Sequence, residues 1–248
     1  MATSWQSRFK ALYHFDTLDS TQTFLHRHPF MGAVFCRADT QTHGKGQRER
    51  LWQSPRGQLY LSFHYVMPND YADLQGITQA LALSLVQTLD PQAQYLKLKW
   101  PNDVYFQGQK LAGLLVESKK VDKALCLTIG LGLNLMAHQR EYQAFAGLNQ
   151  IPSLAHFSLD EVINAIMPAL LNCLDAWQQQ PYLPITHRWA EYDAFYQKKA
   201  LCEEVGEVII WGIDQRGRLQ IQREQGMEWL INTRILTSLA EVNDVSVD

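Results

Sequence analysis

The chain has 248 residues, 46% of them hydrophobic, which suits one medium-sized domain with a small second one. Its 22 basic and 25 acidic residues leave a formal net charge of -3, so a general electrostatic attraction to nucleic acid is excluded. Any anionic ligand must therefore meet a local basic patch.

The cysteines and the N-terminal residues bear on the compartment. Cys36, Cys126, Cys173 and Cys202 are far apart and form no CxxC pair, which predicts free thiols in a reducing cytoplasm. The first residues lack the apolar core of a signal peptide, and no apolar run approaches the ~18 residues that span a bilayer. We therefore expect a cytoplasmic protein without a membrane segment.

The first predicted elements are a helix start and a strand. Asp19, Ser20 and Thr21 satisfy the rule for a helix N-cap, and the free N–H groups of a helix start can meet a carbonyl or anionic group of a ligand. Residues 32–38 predict a strand that leads to Gln41.

A loop rich in glycine and basic residues follows at residues 43–52. Gly44 and Gly46 would let the backbone approach a phosphate closely. The positive charges of the loop are those of Lys45, Arg48 and Arg50. The loop has neither GxxxxGK[ST] nor a complete GxGxxG, which excludes the P-loop and Rossmann interpretations. Taken alone, such a loop is more often a solvated turn.

The central part of the chain predicts strands around one helix. Strands are predicted at 58–66 and 95–100, a helix at 73–90, and a hairpin of 104–106 and 110–118 joined by a turn at 107–109. Lys110 stands at the mouth of the second hairpin strand, shortly before the small residues Ala112 and Gly113. Glycine in a strand often marks the approach of a ligand, so Lys110 is a candidate cation for an anion. A solvated lysine at a turn is the simpler alternative.

The C-terminal half predicts helices and then short strands. A strand at 124–129 precedes Gly130, Gly132 and Asn134, and a helix at 158–178 begins with a capping box formed by Ser158 and Glu161. A second helix is predicted at 186–196, with aromatic residues that we assign to the core: Trp189, Tyr192, Phe195 and Tyr196. From about Lys199, short alternating runs predict a small β-barrel or sheet.

Four motifs resemble one family in their order along the chain. Residues 99–117, KWPNDVYFQGQKLAGLLVE, resemble the central signature of biotin protein ligases, KWPND followed by KxAGxLxE. Residues 19–22 are DSTQ where the family has DSTN, residues 41–52 resemble QxxGRGRxGRxW, and residues 129–134 resemble IGxGxN.

The resemblance implies an α+β fold. Residues 1–198 would form the mixed-sheet, class II synthetase-like catalytic domain of biotin protein ligases, and residues 199–248 a small SH3-like β-barrel. Relatives that act as repressors carry a winged helix-turn-helix before the DST motif. Only 18 residues precede Asp19 here, so we expect a ligase that does not bind DNA.

The resemblance also implies the reaction. Such a ligase adenylates biotin with ATP and Mg²⁺, and transfers it to a lysine of the biotin carboxyl carrier protein of acetyl-CoA carboxylase. Many relatives form homodimers through sheet edges, so the resemblance implies a homodimer as one option for this chain.

The family motifs assign roles residue by residue. Catalysis falls to Lys110, Lys45 and Arg48. Biotin binding falls to Ser20, Thr21, Gln22, Gln41, Gly44, Lys45, Gly46, Gln47, Lys110, Gly113, Gly130 and Gly132. ATP binding falls to Lys45, Gln47, Arg48, Arg50, Trp52, Asn102, Lys110 and Asn134. The metal would lie at Asn102 and Asp103.

Two departures and three alternatives accompany this interpretation. Gln47 stands where the family often has arginine, and Glu49 replaces a glycine, so we expect a weaker hold on the biotinyl-adenylate.

The alternatives are a lipoate or octanoate ligase, a biotin-responsive DNA-binding regulator and a relative that binds biotin without turnover. The HGPGQ-type motif and the acyl-accepting cysteine of octanoyl enzymes are not recognisable.

Overall fold

The computed structural model describes residues 5–28, 32–68, 74–121, 123–140, 143–181 and 188–238. They form a large mixed sheet with helices on both faces and a smaller antiparallel sheet towards the C-terminus. The predicted α+β class with a mixed sheet is confirmed.

In the described residues the large sheet has ten strands. They are β1 (Ala11–Leu18), β2 (Val34–Lys45), β3 (Leu51–Ser54), β4 (Leu59–Pro68), β5 (Leu96–Lys99), β6 (Asp103–Phe106), β7 (Gln109–Val121), β8 (Ala124–Leu133), β9 (His138–Arg140) and β10 (Gln143–Phe145). The main order is β1-β2-β4-β8-β7-β10-β9; β3 pairs with β2, and β6 pairs with both β5 and β7. The pairs β1/β2 and β7/β10 are parallel and the others antiparallel, which makes the sheet mixed.

The register of the central strands gathers small residues on one face. Gly132 of β8 lies opposite Gly113 of β7, and Gly130 lies opposite Ser62 of β4. Because alternate residues of a strand share a face, these four positions form one strip along the sheet. We call Gly113, Gly130 and Gly132 the glycine strip.

Helices cover both faces of this sheet. α2 (Ile77–Leu89) and α3 (Leu159–Gln179) pack together on one face, whereas α1 (Thr21–Arg27) contacts β2, β4 and β8. Tyr65 of β4 donates to Asp175 of α3 on one face. Ser62 is an odd number of residues away on β4, so its side chain points to the opposite face, where it donates to Gln22 of α1. The glycine strip therefore faces α1.

The capping box predicted for the long helix is present. Ser158 Oγ accepts from the Glu161 N–H, and the Glu161 carboxylate accepts from the Ser158 N–H at 2.8 Å. α3 starts at the next residue, as a capping box requires.

The helix predicted at 186–196 is wrong beyond Tyr192. α4 (Trp189–Tyr192) has four residues, and positions 186 and 187 lie outside the described residues. It ends because the Asp193 carboxylate accepts from the Phe195 N–H and the Ala194 N–H donates to Leu98 of β5. Of the four aromatic residues assigned to the core, Trp189, Tyr192 and Phe195 are buried and Tyr196 is 37% exposed.

Up to Ser238, where the described residues end, the C-terminal sheet contains five strands. They are β11 (Lys198–Cys202), β12 (Gly206–Ile213), β13 (Leu219–Arg223), β14 (Gly226–Leu230) and β15 (Ile235–Ser238). All pairs are antiparallel in the order β14-β13-β12-β11-β15. Within the described residues β14 and β15 are its edges, so the sheet is consistent with a small SH3-like domain but is not a closed barrel. The division of the chain into 1–198 and 199–248 stays a prediction.

The C-terminal sheet is attached to the large sheet beside the KWPND segment. Trp100 Nε1 donates to the Gly217 carbonyl at 2.9 Å in a buried contact. Gly217 has φ +71°, and a Cβ there would lie 2.6 Å from Gly76 Cα, so only glycine fits this approach. The two sheets are thus joined close to the end of β5.

The four cysteines are free thiols, as predicted, and the structure shows that all four are buried. Burial raises the pKa of both the Cys36 and the Cys173 thiols to about 12, which makes them poor nucleophiles. None of the helices in the described ranges is long and apolar enough to cross a bilayer.

Candidate active site

A cavity of about 390 Å³ lies over the glycine strip. Its size falls within the range of small-molecule sites. The start of α1, the connection between β2 and β3, strands β4 to β8 and the C-terminal sheet all contribute to its walls, from Ser20 to Ile235.

The structure brings nearly all the predicted site residues together around this cavity. Those that line it are Ser20, Thr21, Gln22, Gln41, Lys45, Gly46, Gln47, Arg48, Arg50, Trp52, Asn102, Asp103, Lys110, Gly113, Gly130, Gly132 and Asn134. Positions more than 100 residues apart in sequence meet here because α1 packs against β8 and the C-terminal sheet is attached beside the end of β5.

Gly44 does not line the cavity. It is buried where β3 pairs with β2, and a Cβ there would lie 2.4 Å from the Trp52 carbonyl oxygen and 2.8 Å from Ser54 Oγ. A side chain at this position would push β3 off β2. Packing therefore accounts for this glycine, and its contact with biotin stays a prediction.

One end of the cavity is neutral and rich in hydrogen bonds. Gln41 Oε1 accepts from the Thr21 N–H at 2.9 Å, and Gln41 Nε2 donates to Ser54 Oγ at 2.8 Å. The hydroxyls of Thr21 and Ser62 are 2.8 Å apart. Because each end of the Gln41 amide has a protein partner, its orientation is fixed before any ligand binds.

Ser20 caps α1 at the same end, as predicted from the sequence. The residue is 1% exposed, and its hydroxyl accepts from the Thr23 N–H at 3.4 Å. The cap holds the first turn of α1 against the cavity.

The opposite side of the cavity is positively charged. Among the described residues that line it, six are basic and one is acidic: Lys45, Arg48, Arg50, Lys99, Lys110 and Arg234, against Asp103. A chain of net charge -3 thus carries the local basic patch that an anionic ligand requires.

Lys110 occupies the centre of this side. Its Nζ lies 2.7 Å from Asp103 Oδ1 and 4.9 Å from the centroid of the Trp52 ring. The side chains of Lys110 and Asp103 are 22% and 20% exposed, so water screens the pair only in part. The ammonium group is therefore held at a defined place in the cavity.

The Trp52 indole lies directly against the glycine strip. A Cβ on Gly132 would lie 2.3 Å from the indole Cε2, and a Cβ on Gly113 would lie 2.9 Å from Cζ3. Trp52 Nε1 and Gln53 Oε1 are buried, and neither has a hydrogen-bond partner among the described residues. Unpaired buried polar atoms are costly, so they mark this part of the cavity as a place where a ligand would supply the missing partners.

Asn102 and Asn134 hold β7 from its two sides. Asn102 Nδ2 donates to the Leu114 carbonyl at 2.6 Å. The Asn134 N–H donates to the Leu111 carbonyl at 2.9 Å, and Asn134 Nδ2 is 3.4 Å from the Lys110 carbonyl. Both asparagines therefore fix the backbone that carries Lys110, in addition to lining the cavity.

The residues present fit a magnesium ion that arrives with a nucleotide. Within the described ranges no group of three or more His, Cys, Asp and Glu could form a metal cage. Asp103 would supply one carboxylate and Asn102 an amide oxygen. Mg²⁺ is commonly bound by one or two protein carboxylates together with substrate phosphates and water, which matches this donor set.

Arg48 connects the basic loop to the C-terminal sheet. It has φ +54°, and its guanidinium donates to Glu203 at 3.1 Å and to Asn232 at 2.5 Å. Its predicted closure over a reaction intermediate would compete with these contacts and stays a prediction. The side chain of Glu49 lies outside what the structure describes.

Sequence reasoning missed several residues of the lining. Ser62, Lys99, Tyr105, His138 and Arg234 all contribute to it. Lys99 is the first letter of the KWPND motif and could have been found there. Ser62 is a small polar residue between Leu61 and Phe63 in a mostly apolar strand, which is also a usable signal.

Comparison with known proteins identifies the family. Residues 15–134 match the model of the biotin/lipoate A/B protein ligase family. The chain is 32% identical over 199 residues to the bifunctional ligase/repressor BirA of Escherichia coli, covering 76% of this chain and 61% of that protein. It is 31% identical over 216 residues to the biotin–[acetyl-CoA-carboxylase] ligase of Paracoccus denitrificans, covering 79% of this chain and 87% of that protein.

The chain belongs to the biotin protein ligase family. The solved structure of the biotin protein ligase from Aquifex aeolicus in complex with biotin and ATP superposes with a TM-score of 0.75 at 25% identity. The superposition covers 92% of this chain and all of that one, so the fold of the family extends over both sheets. The chain spans 61% of the length of the E. coli relative, which is described as both a ligase and a repressor.

Proposed function

We propose that this member of the biotin protein ligase family adenylates biotin with ATP and transfers it to a specific lysine of the biotin carboxyl carrier protein of acetyl-CoA carboxylase. The observation that carries the proposal is the two-sided cavity. A neutral, hydrogen-bonding end suits the ureido ring of biotin, and six basic side chains suit a carboxylate and a nucleotide.

The chemistry explains why both sides are needed. A carboxylate does not acylate an amine in water, because it lacks a good leaving group. Attack of the biotin carboxylate on the α-phosphorus of ATP forms biotinyl-adenylate and releases pyrophosphate. The amine of the carrier lysine then attacks the mixed anhydride and expels AMP.

Positioning and charge supply the catalysis. Lys110 is placed to offset negative charge between the biotin carboxylate and the α-phosphate, where charge increases in the transition state. Magnesium bound with ATP would offset phosphate charge, with Asp103 and Asn102 as its protein ligands. Lys45 and Arg48 belong to the loop that we propose to close over the intermediate.

The remaining residues bind and orient the substrates. Thr21, Gln41 and Ser20 would bind the ureido group, with Gln22, Gly46, Gln47, Gly113, Gly130 and Gly132 as the surrounding wall. Arg50, Trp52 and Asn134 would contact the nucleotide. The bound biotin and ATP of the Aquifex ligase support this division between an acid and a nucleotide.

The names of the relatives support the choice of acceptor. The Paracoccus relative is described as a biotin–[acetyl-CoA-carboxylase] ligase, and we propose that the acceptor of this chain is likewise the biotin carboxyl carrier protein of that enzyme. A cytoplasmic location and the absence of DNA binding stay predictions.

Biotin-dependent exchange of pyrophosphate into ATP tests the first half-reaction. The purified protein is assayed with Mg²⁺ and biotin, lipoate or octanoate in parallel, and exchange with biotin alone is expected. Exchange with lipoate or octanoate alone would contradict the proposal. The second half-reaction is followed by mass spectrometry of a purified biotin carboxyl carrier domain and of its Lys→Arg variant, which should remain unmodified.

A further inference from the structure

Gln22 is the position at which this chain departs from the DSTN pattern of its family, with a side chain one methylene longer than asparagine. We propose that Glu117, which lies outside the cavity lining, is a positioning residue. It turns the amide oxygen of Gln22 towards the neutral end of the cavity, where the ureido ring of biotin would bind. This pair would select an acid that carries N–H donors. The inference rests on the proposed function, because biotin has such donors in its ureido ring.

The contacts of the Gln22 amide are complete on its nitrogen side. Gln22 Nε2 donates to Glu117 Oε2 at 2.7 Å and to the Thr128 carbonyl at 3.2 Å. Gln22 Oε1 accepts from Ser62 Oγ at 3.0 Å. The amide nitrogen has two protons, and both are engaged by protein acceptors.

This arrangement decides which atom faces the ligand. An ionised carboxylate and a carbonyl are acceptors, so rotating the amide would set Gln22 Oε1 against both Glu117 and Thr128. Gln22 is 3% exposed, and a buried polar atom without a partner is costly. The amide therefore keeps its oxygen away from β7.

The amide oxygen of Gln22 points to the glycine strip, over which the cavity lies. A Cβ on Gly130 would lie 2.7 Å from Gln22 Oε1, which places the oxygen over one member of the glycine strip. A carbonyl oxygen has two lone pairs, and Ser62 uses one of them. The second can accept from a ligand N–H.

The length of the side chain matters for this role. An asparagine at position 22 would be shorter by one C–C bond, ~1.5 Å, and could not reach Glu117 without moving α1. His26, one helical turn after Gln22, lies 3.3 Å from the same carboxylate oxygen of Glu117. Glu117 is thus held by two residues of α1, of which Gln22 lines the cavity.

Gln22 Oε1 would favour acids with an N–H group, because leaving this buried acceptor without a donor costs free energy. An acid whose far end has no N–H, such as octanoate, would bury Gln22 Oε1 with one lone pair unused. Sites built for a hydrogen-bonding group discriminate strongly against analogues that lack the group. The pair would therefore contribute to preference for biotin over plain acyl chains.

Glu117→Ala is the test, with Glu117→Gln as the conservative variant. Calorimetry without ATP gives the Kd for biotin, and pyrophosphate exchange gives kcat and the KM values for biotin and ATP. We expect Glu117→Ala to raise the Kd and KM for biotin about 10-fold, the scale of one lost buried hydrogen bond. The KM for ATP and the kcat at saturating biotin should stay within about twofold.

Glu117→Gln should retain near-normal affinity, because its side-chain oxygen can still accept from Gln22. Glu228→Ala, which removes a carboxylate from β14 of the C-terminal sheet, is the matched control and should change nothing. If Glu117→Ala does not fold, Gln22→Asn provides the second test and should raise the Kd for biotin in the same way.

The outcomes separate this inference from the proposed function. An unchanged Kd for biotin in Glu117→Ala, or in Gln22→Asn where that variant serves instead, would overturn the inference while leaving the ligase activity in place. Equal rises in the KM values for biotin and ATP would show a merely structural role and would overturn it as well. A wild-type protein that neither binds biotin nor exchanges pyrophosphate would overturn the proposed function first.

Discussion

The substitution Lys110→Met removes the charge at the centre of the cavity while keeping most of the side chain. Lys110 Nζ lies 2.7 Å from Asp103 Oδ1, and its stem passes Gly113, whose added Cβ would lie 3.4 Å from Lys110 Cε. Methionine fills this space without an ammonium group. The variant therefore tests charge and not packing.

The size of the effect can be bounded. Two unit charges 2.7 Å apart attract by about 6 kcal/mol at an effective dielectric constant of ~20, which is an upper limit because both ions lose hydration. Loss of one preorganised electrostatic group from an active site typically costs ~3–4 kcal/mol of transition-state stabilisation. We expect kcat for pyrophosphate exchange to fall by about 10²- to 10³-fold.

The assay is biotin-dependent pyrophosphate exchange at saturating ATP. Lys119→Met, on the exposed end of the same strand, is the matched control and should keep full activity. Thermal unfolding of both variants checks that they are folded. A loss below tenfold in Lys110→Met, or an equal loss in Lys119→Met, would refute the assigned role.

Three further substitutions follow from the geometry. Gly132→Ala should destabilise the fold by about 1–3 kcal/mol in urea unfolding, because its Cβ would lie within 2.6 Å of three atoms of the Trp52 indole. Gln47→Arg should slow the release of biotinyl-adenylate several-fold in a rapid-filtration assay, because it returns a positive charge to the loop. Asp193→Asn should flatten the pH dependence of stability, because burial raises the pKa of the Asp193 carboxyl from 3.8 to about 6. Below pH 4 this carboxyl is protonated in both the folded and the unfolded protein, and above pH 6 it is ionised in both. Between these values it is ionised in the unfolded protein only. The free energy of unfolding of the wild type therefore falls by up to about 3 kcal/mol relative to the variant as the pH rises from 4 to 6.

Controls distinguish these effects from general damage. Gly113→Ala meets its nearest indole atom at 2.9 Å and should cost less than Gly132→Ala; the reverse order would contradict the packing. Gln47→Leu should not slow adenylate release, and an equal effect of both Gln47 variants would argue against charge. Burial lowers the pKa of His64 to about 4, so the folded protein loses stability as the pH falls towards that value. This loss is the same in the wild type and in Asp193→Asn, so it does not affect their comparison. Only a parallel pair of pH curves would contradict the Asp193 prediction.

The sequence predicted the site best where the chemistry is local. Asp103 and Lys110 meet because a hairpin joins their strands, and its turn is marked by Gln107 and Gly108. Both turn residues have positive φ, so the loop has two residues and Gln109 begins β7, one residue earlier than predicted. Short-range rules are sufficient for such a contact.

Contacts that depend on tertiary packing could not be predicted from the sequence. Arg234 comes from the C-terminal sheet and carries no motif, so only the docking of that sheet reveals it. The role of Gly44 in seating β3 is invisible because a glycine in a basic loop fits phosphate binding equally well. The early end of α4 follows from the bonds of Asp193 and Ala194, and periodicity does not encode those bonds.

The cavity is lined by residues from Ser20 to Ile235, and this span has a thermodynamic consequence. A ligand that fills it contacts both sheets at once, so its binding energy is added to the unfolding free energy of nearly the entire chain. At a hundred times its Kd, such a ligand adds about 2.7 kcal/mol. The melting temperature of both sheets should therefore rise together with ligand concentration, and the last strands must be folded before any of that stabilisation is available.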